Sequence, residues 1–172
     1  REVAPEHTFV RLTSAQERPM QLHRRLWWQQ LQVPVRARRA HPDLLHVPGF
    51  DAPLWHVAPT VLTCHDLIGS LFPENLPPIS RFYWSRWLPF SLRFADAIIA
   101  DSHATRRDIE RLTSIPPARI QVVHLAVDGR FRLQDEAQVM ACRQRYHLPD
   151  HFILYVGTIE PRKGIDTLID AF

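Results

Sequence analysis

Four stretches of the sequence place side chains with acid–base or charge-bearing chemistry just past an apolar run. His65 and Asp66 follow residues 61–64, Val-Leu-Thr-Cys. Residues 97–100, Ala-Ile-Ile-Ala, run straight into Asp101-Ser102. Asp128 lies beyond residues 120–124, Ile-Gln-Val-Val-His. Arg162 and Lys163 lie between Gly157 and Gly164, past residues 152–156, Phe-Ile-Leu-Tyr-Val. Runs of this kind read as buried parallel strands, and open α/β sheets bind ligands beyond the C-terminal ends of their strands. His65 is thus delivered to a ligand edge, although a structural histidine in a strand-end turn explains it as simply. A metal-binding His65–Asp66 dyad is disfavoured, because neighbours on a strand point to opposite faces. Ser102 suits a helix N-cap, and a strand leading into a capped helix aims backbone N–H groups at the same edge. Arg162 and Lys163, with helix N–H groups, could meet a pyrophosphate; a solvated basic turn accounts for them equally.

Positioning those side chains takes strands alternating with helices. Within residues 1–16, the alternation of Phe9, Val10, Arg11 and Leu12 suggests a strand. A helix is predicted over 22–31, stopped by Pro34. Strands follow at 43–47 and 61–64, then a helix over 79–95 interrupted near Pro89. In that helix Arg81, Arg86 and Arg93 are interleaved with aromatic residues. Its aromatic face either packs on the sheet with the arginines solvated, or meets anionic lipid at a membrane surface. Next come a strand at 97–100, a helix from about His103 to Leu112 with Ile109 and Leu112 inward, and a strand at 120–124. Residues 135–146 form a connector helix. A strand at 152–156, a polar loop and a helix carrying Ile165, Leu168, Ile169 and Phe172 on one face complete the order. The alternation predicts an α/β fold with a parallel sheet.

Composition narrows the classes. The 172 residues suffice for one domain or slightly more, and 45% hydrophobic content suits a packed core. A net charge of +3 fits anionic ligands or an anionic surface, and is too small to argue for nucleic acid. Cys64 and Cys142 lack CxxC spacing, and the ten histidines form no HExxH, so a disulfide framework or zinc site has little support. No run of 18 apolar residues exists. GxGxxG, GxxxxGK[ST] and GxSxG are absent. The chain opens on Arg1, with no signal peptide, and begins mid-pattern, so a piece of a longer protein is expected.

Residues 155–164, Tyr-Val-Gly-Thr-Ile-Glu-Pro-Arg-Lys-Gly, resemble the start of the donor-binding domain of family 4 (group 1) retaining glycosyltransferases. Earlier stretches agree in order: Thr63-Cys64-His65-Asp66-Leu67, Leu88-Pro89, residues 95–102 and residues 120–128. The resemblance covers residues 43–172. It implies an incomplete GT-B fold. Residues 1–130 would be a Rossmann-like acceptor-side domain lacking its first strands, 131–149 a connector, and 150–172 the truncated start of the donor domain. It implies sugar transfer with retention from a nucleotide-sugar donor to a glycan or lipid-linked acceptor, as in polysaccharide biosynthesis. No cofactor or essential metal, and no nucleic-acid partner, is expected. By resemblance His65 is the cleft histidine that contacts the transferred sugar, and Lys163 neutralises the donor phosphates. Arg162, Gly157 and Thr158 complete the donor loop, while Asp66, Ser102 and Asp128 are further cleft candidates. Thr158 stands where many relatives carry Arg, and Ala126 where Gly is common. The Gly-rich first loop and the paired-glutamate motif are not in these residues, so an inactive fragment is expected. The expected location is cytoplasmic, with peripheral membrane contact through Ile79 to Ala95. Two other readings are a non-catalytic module that binds a partner or membrane, and a GT-B-type sugar-nucleotide epimerase; the His65 and Lys163 motifs fit the epimerase poorly.

Overall fold

The computed structural model describes residues 7–12, 21–49 and 51–172. They divide into two units, Arg1–Ala126 and Val127–Phe172. The first unit is built on a four-stranded, all-parallel sheet: β1 Leu45–Val47, β2 Thr60–Cys64, β3 Ala97–Ala100 and β4 Ile120–Val122, in the spatial order β1-β2-β3-β4. This is the Rossmann-like sheet with flanking helices that the sequence pattern predicts. On one face Leu62, Cys64, Ile98, Ala100 and Ile120 are fully buried, while the alternate residues Val61, Thr63, Ala97 and Ile99 are half-buried. The strands at 43–47 and 120–124 are shorter than predicted, because pairing begins only at Leu45 and ends at Val122.

Helix α1 covers residues 22–40 and does not stop at Pro34. The prediction of a stop there is corrected by a π-turn, Trp28–Gln32, immediately upstream. Proline inside a helix loses one N–H and crowds the carbonyl four residues back, here that of Gln30; the wider i→i+5 turn accommodates both effects. The same device recurs after the short helix α2, Ile68–Leu71. Helix α3 spans residues 78–94, and its π-turn Tyr83–Trp87 precedes Pro89, the predicted interruption. Both π-turns aim a polar side chain at Asp51, which is buried in the loop between β1 and β2. Tyr83 Oη donates to Asp51 Oδ1 at 2.9 Å, and Gln30 Nε2 to Asp51 Oδ2 at 3.2 Å. Gln30 Oε1 also accepts from Leu54 N at 2.9 Å. Burial and the Asp51 carboxylate push the Tyr83 phenol far above its ordinary range.

Tyr83, Leu88 and Leu92 of α3 are buried in the core, and Trp84, Trp87 and Phe94 pack against it. The fully buried Leu88 and Leu92 each contribute about 1.5–3 kcal/mol by leaving water. Ile79 and Phe82 remain 68% and 62% exposed. Arg81 donates to the carbonyls of Pro73, Glu74 and Leu76, and Arg93 to Ser114 Oγ, so both arginines are engaged within the unit. At the end of α3, Arg119 donates to the carbonyl of Arg93 in the last helical turn and to those of Ala95 and Asp96 just past it. Helix α4, His103–Leu112, has the predicted bounds and turns Ile109 into the core.

Residues 9–12 adopt no strand. Among the described residues no backbone pairs with them, and only Leu12 packs on the core. The rest of residues 1–16, apart from 7 and 8, lies outside the described residues. In the second unit, α5, Glu136–Tyr146, is capped by Asp135, whose Oδ1 accepts from Gln138 N at 2.8 Å. Residues 152–156 are not a strand, contrary to prediction: no described backbone forms a ladder with them, and an apolar run alone does not make a strand. Helix α6, Ile165–Ala171, follows. Among the described residues, no helix is long and apolar enough to cross a membrane.

Candidate functional site

Parallel register sets the site. Cys64 pairs with Ala100, and Ala100 with Val122. The next residue of each strand therefore lies at the same level beyond the sheet: His65, Asp101 and Val123, with His124 just after. His65 Nδ1 lies 3.5 Å from Asp101 Oδ2, with side chains 42% and 17% exposed. His124 Nδ1 donates to the Asp101 carbonyl at 3.2 Å, and the His103 ring meets the His124 ring edge-on at 5.5 Å.

The buried Thr105 ties these pieces together. Its hydroxyl lies 3.0 Å from the His65 carbonyl, 3.0 Å from Asp101 Oδ1 and 2.9 Å from Ser102 Oγ. With one proton it donates to one acceptor at a time, while Ser102 can donate to its oxygen. Ser102 is the predicted N-cap: its Oγ accepts from Thr105 N at 3.0 Å. One hydrogen-bonded turn thus fixes both the end of β2 and the start of α4.

Asp66 points to a different task. Its Oδ1 accepts from Ile68 N at 3.0 Å and opens α2. Cys64 Sγ donates to the Asp66 carbonyl at 3.6 Å. Burial, then the Asp66 and Asp101 charges, push the Cys64 thiol up to about 12, so it stays protonated and is no nucleophile near neutral pH.

Asp128 falls in the second unit, as do Gly157, Thr158, Arg162 and Lys163. Asp128 Oδ1 accepts from Arg130 N at 2.9 Å, and this bond is the main reason its carboxyl sits below the ordinary range. In the loop, Thr158 Oγ1 donates to Glu160 Oε1 at 2.9 Å, and Arg162 Nε meets Glu160 Oε2 at 2.6 Å. The Thr158 hydroxyl first, and then the Arg162 and Lys163 charges, hold the Glu160 carboxyl low. Lys163 is exposed in the 3₁₀ turn Pro161–Lys163, ahead of Gly164 at φ +64°, a left-handed conformation that favours glycine.

The structure brings His65 and Ser102 to one edge and adds Thr105, His103 and His124, which sequence reasoning did not single out, and Asp101, which it noted past a strand without making it a site candidate. Asp101 had one visible signal: it follows β3 as His65 follows β2. Only the pairing of Cys64 with Ala100 makes those positions neighbours. Among the described residues, no three His, Cys, Asp or Glu side chains group to hold a metal ion.

A family model described as Glycosyltransferase Family 4 matches residues 1–130. The chain belongs to glycosyltransferase family 4. The span that matches the glycosyltransferase model holds His65, Asp66, Ser102 and Asp128; Gly157, Thr158, Arg162 and Lys163 lie beyond it. The chain is 35% identical over 131 residues to the serotype-specific mannosyltransferase WbdA of Escherichia coli, across 73% of the chain and 15% of that protein. It is 33% identical over 138 residues to the O-antigen chain mannosyltransferase B of Escherichia coli, across 79% of the chain and 36% of that protein. It is 30% identical over 104 residues to the alpha-D-kanosaminyltransferase of Streptomyces kanamyceticus, across 59% of the chain and 26% of that protein. The aligned part of the chain thus spans 15% to 36% of the length of these glycosyltransferase relatives.

Proposed function

We propose that the whole protein transfers a hexose, with mannose as first candidate, from a nucleoside-diphosphate sugar to a glycan or lipid-linked acceptor, with retention of anomeric configuration. The observation that carries this reading is His65 at the C-terminal edge of a parallel sheet that belongs to a glycosyltransferase family. The names of the Escherichia coli relatives favour mannose. In this reading His65 hydrogen-bonds the transferred sugar, and Ser102 holds the edge in shape. Lys163, helped by Arg162 and the Gly157–Thr158 loop, faces the donor diphosphate from a second, donor-binding domain. Cationic charge there offsets the negative charge that grows as the sugar–phosphate bond breaks. With retention, acceptor and leaving group share one face of the sugar. The acceptor oxygen bonds the anomeric carbon, the phosphate bond breaks, and the acceptor's proton passes to the departing diphosphate. No metal is assigned to this step. We place the protein in the cytoplasm, with the exposed Ile79 and Phe82 of α3 against an anionic membrane surface.

The test is a panel of nucleoside-diphosphate sugars offered to the full-length protein with a mannan-type acceptor. Proton NMR of the product reads the anomeric configuration. Transfer from a mannose donor with the donor's configuration is expected. Product of inverted configuration, or no transfer from any donor, would sink the reading.

A further inference from the structure

We propose that Asp101 is the positioning residue for His65, fixing the ring so that Nε2 accepts a hydrogen bond from a hydroxyl of the transferred sugar. The inference rests on the reading of His65 as the sugar-contacting residue and adds what holds it and what it reads. Four observations converge. The register of β2 against β3 puts Asp101 beside His65. Asp101 Oδ2 lies 3.5 Å from His65 Nδ1, within ion-pair reach and with its acceptor on the side of that ring nitrogen. The Thr105 hydroxyl lies 3.0 Å from both Asp101 Oδ1 and the His65 carbonyl, and its one proton goes to either acceptor, so carboxylate and strand-end backbone share one donor. The Asp101 side chain is 17% exposed against 42% for His65, so the carboxylate is the more sheltered partner.

A carboxylate can only accept, so the imidazole nitrogen facing it carries the proton. In the neutral ring Nδ1 is then the donor, and Nε2 presents a lone pair. That lone pair selects a hydrogen-bond donor, which on a sugar is a hydroxyl. A phosphate oxygen or carbonyl at the same point would face it lone pair to lone pair. For the neutral ring the ligand contact assigned to His65 is therefore a sugar hydroxyl.

The experiment uses the full-length protein with a nucleoside-diphosphate mannose donor and three variants: Asp101→Asn, His65→Ala and both together. Asp101→Asn should lower kcat about 10- to 100-fold, as loss of a supporting partner behind a functional His does, with nucleotide affinity little changed. The double variant should turn over no more slowly than His65→Ala alone, because residues acting through one another are not additive. Losses that multiply, or Asp101→Asn at wild-type kcat, overturn the role of Asp101 and leave that of His65 standing. Wild-type kcat in His65→Ala instead removes the reading of His65, and this inference with it. A second readout needs no activity: the ¹⁵N shifts of the wild-type His65 ring, assigned by their loss in a folded His65→Gln variant. The Nδ1–H tautomer is expected; a predominant Nε2–H tautomer overturns the proposal whatever the kinetics show.

Discussion

At the residue scale, His65 and Lys163 should carry different kinetic signatures. Lys163→Ala in the full-length protein should lower turnover as well as donor affinity, because its contact strengthens as charge builds on the leaving diphosphate. The loss should be on the order of 3 kcal/mol, roughly a hundredfold in rate. His65→Ala should lower turnover strongly and leave nucleoside-diphosphate affinity nearly unchanged. Melting temperature, nucleotide affinity and turnover measured on one preparation separate this from a structural histidine. Early melting with normal turnover per folded molecule would remove His65 from the cleft. Asp96 carries a different forecast. Its carboxylate accepts from Thr60 N at 2.7 Å and meets His56 Nε2 at 2.9 Å, and the backbone bond first, then His56, depress its pKa. A depressed carboxylate stabilises the fold above its unfolded value, about 3.9, and that contribution fades as pH falls through the lower folded value. Asp96→Asn should therefore lose stability at pH 6 and narrow its gap to wild type as pH drops below about 4. A gap in melting temperature that stays constant from pH 6 to pH 3 would refute this.

At the element scale, the joint between α2 and α3 is the sharpest. A Cβ built on the buried Gly69 would stand 2.3 Å from the Trp84 ring, and Ser70 Oγ donates to the Trp84 carbonyl at 2.6 Å. The ring cannot retreat freely, since Trp84 packs against the core. Gly69→Ala should cost about 1–3 kcal/mol, the usual range for overpacking. A urea midpoint equal to wild type, with unchanged slope, would show that the indole moves aside cheaply. The π-turns ahead of Pro34 and Pro89 explain how two prolines sit inside helices, and why α1 outruns its predicted stop. The Ser102 cap is the opposite case: a Ser with a helical pattern after it is local chemistry, and it appears where the sequence places it.

At the scale of the molecule, membrane contact through α3 depends on surface rather than core. Tyr83, Leu88 and Leu92 are used internally, and Arg81 and Arg93 are hydrogen-bonded within the unit. Ile79, Phe82 and Arg86 remain at the surface. Binding to anionic vesicles should weaken as salt rises, because screening shortens the reach of the arginine charge. Equal binding to neutral and anionic vesicles, or none at low salt, would leave α3 as a packing helix only. The sequence by itself determined the parallel α/β class, the cores of β2, β3 and β4, the bounds of α4 and its cap, and the delivery of His65 to a strand end. These follow from apolar runs, breakers and caps, which act over a few residues. The tertiary structure alone decided the rest. Residues 152–156 have strand composition but no ladder partner among the described residues, and hydrogen-bonded pairing is what makes a strand. Asp51 gains its meaning only where two π-turns converge on it. Asp101 becomes a neighbour of His65 through register, a relation between residues 36 positions apart that no local pattern encodes and that the pairing of Cys64 with Ala100 sets.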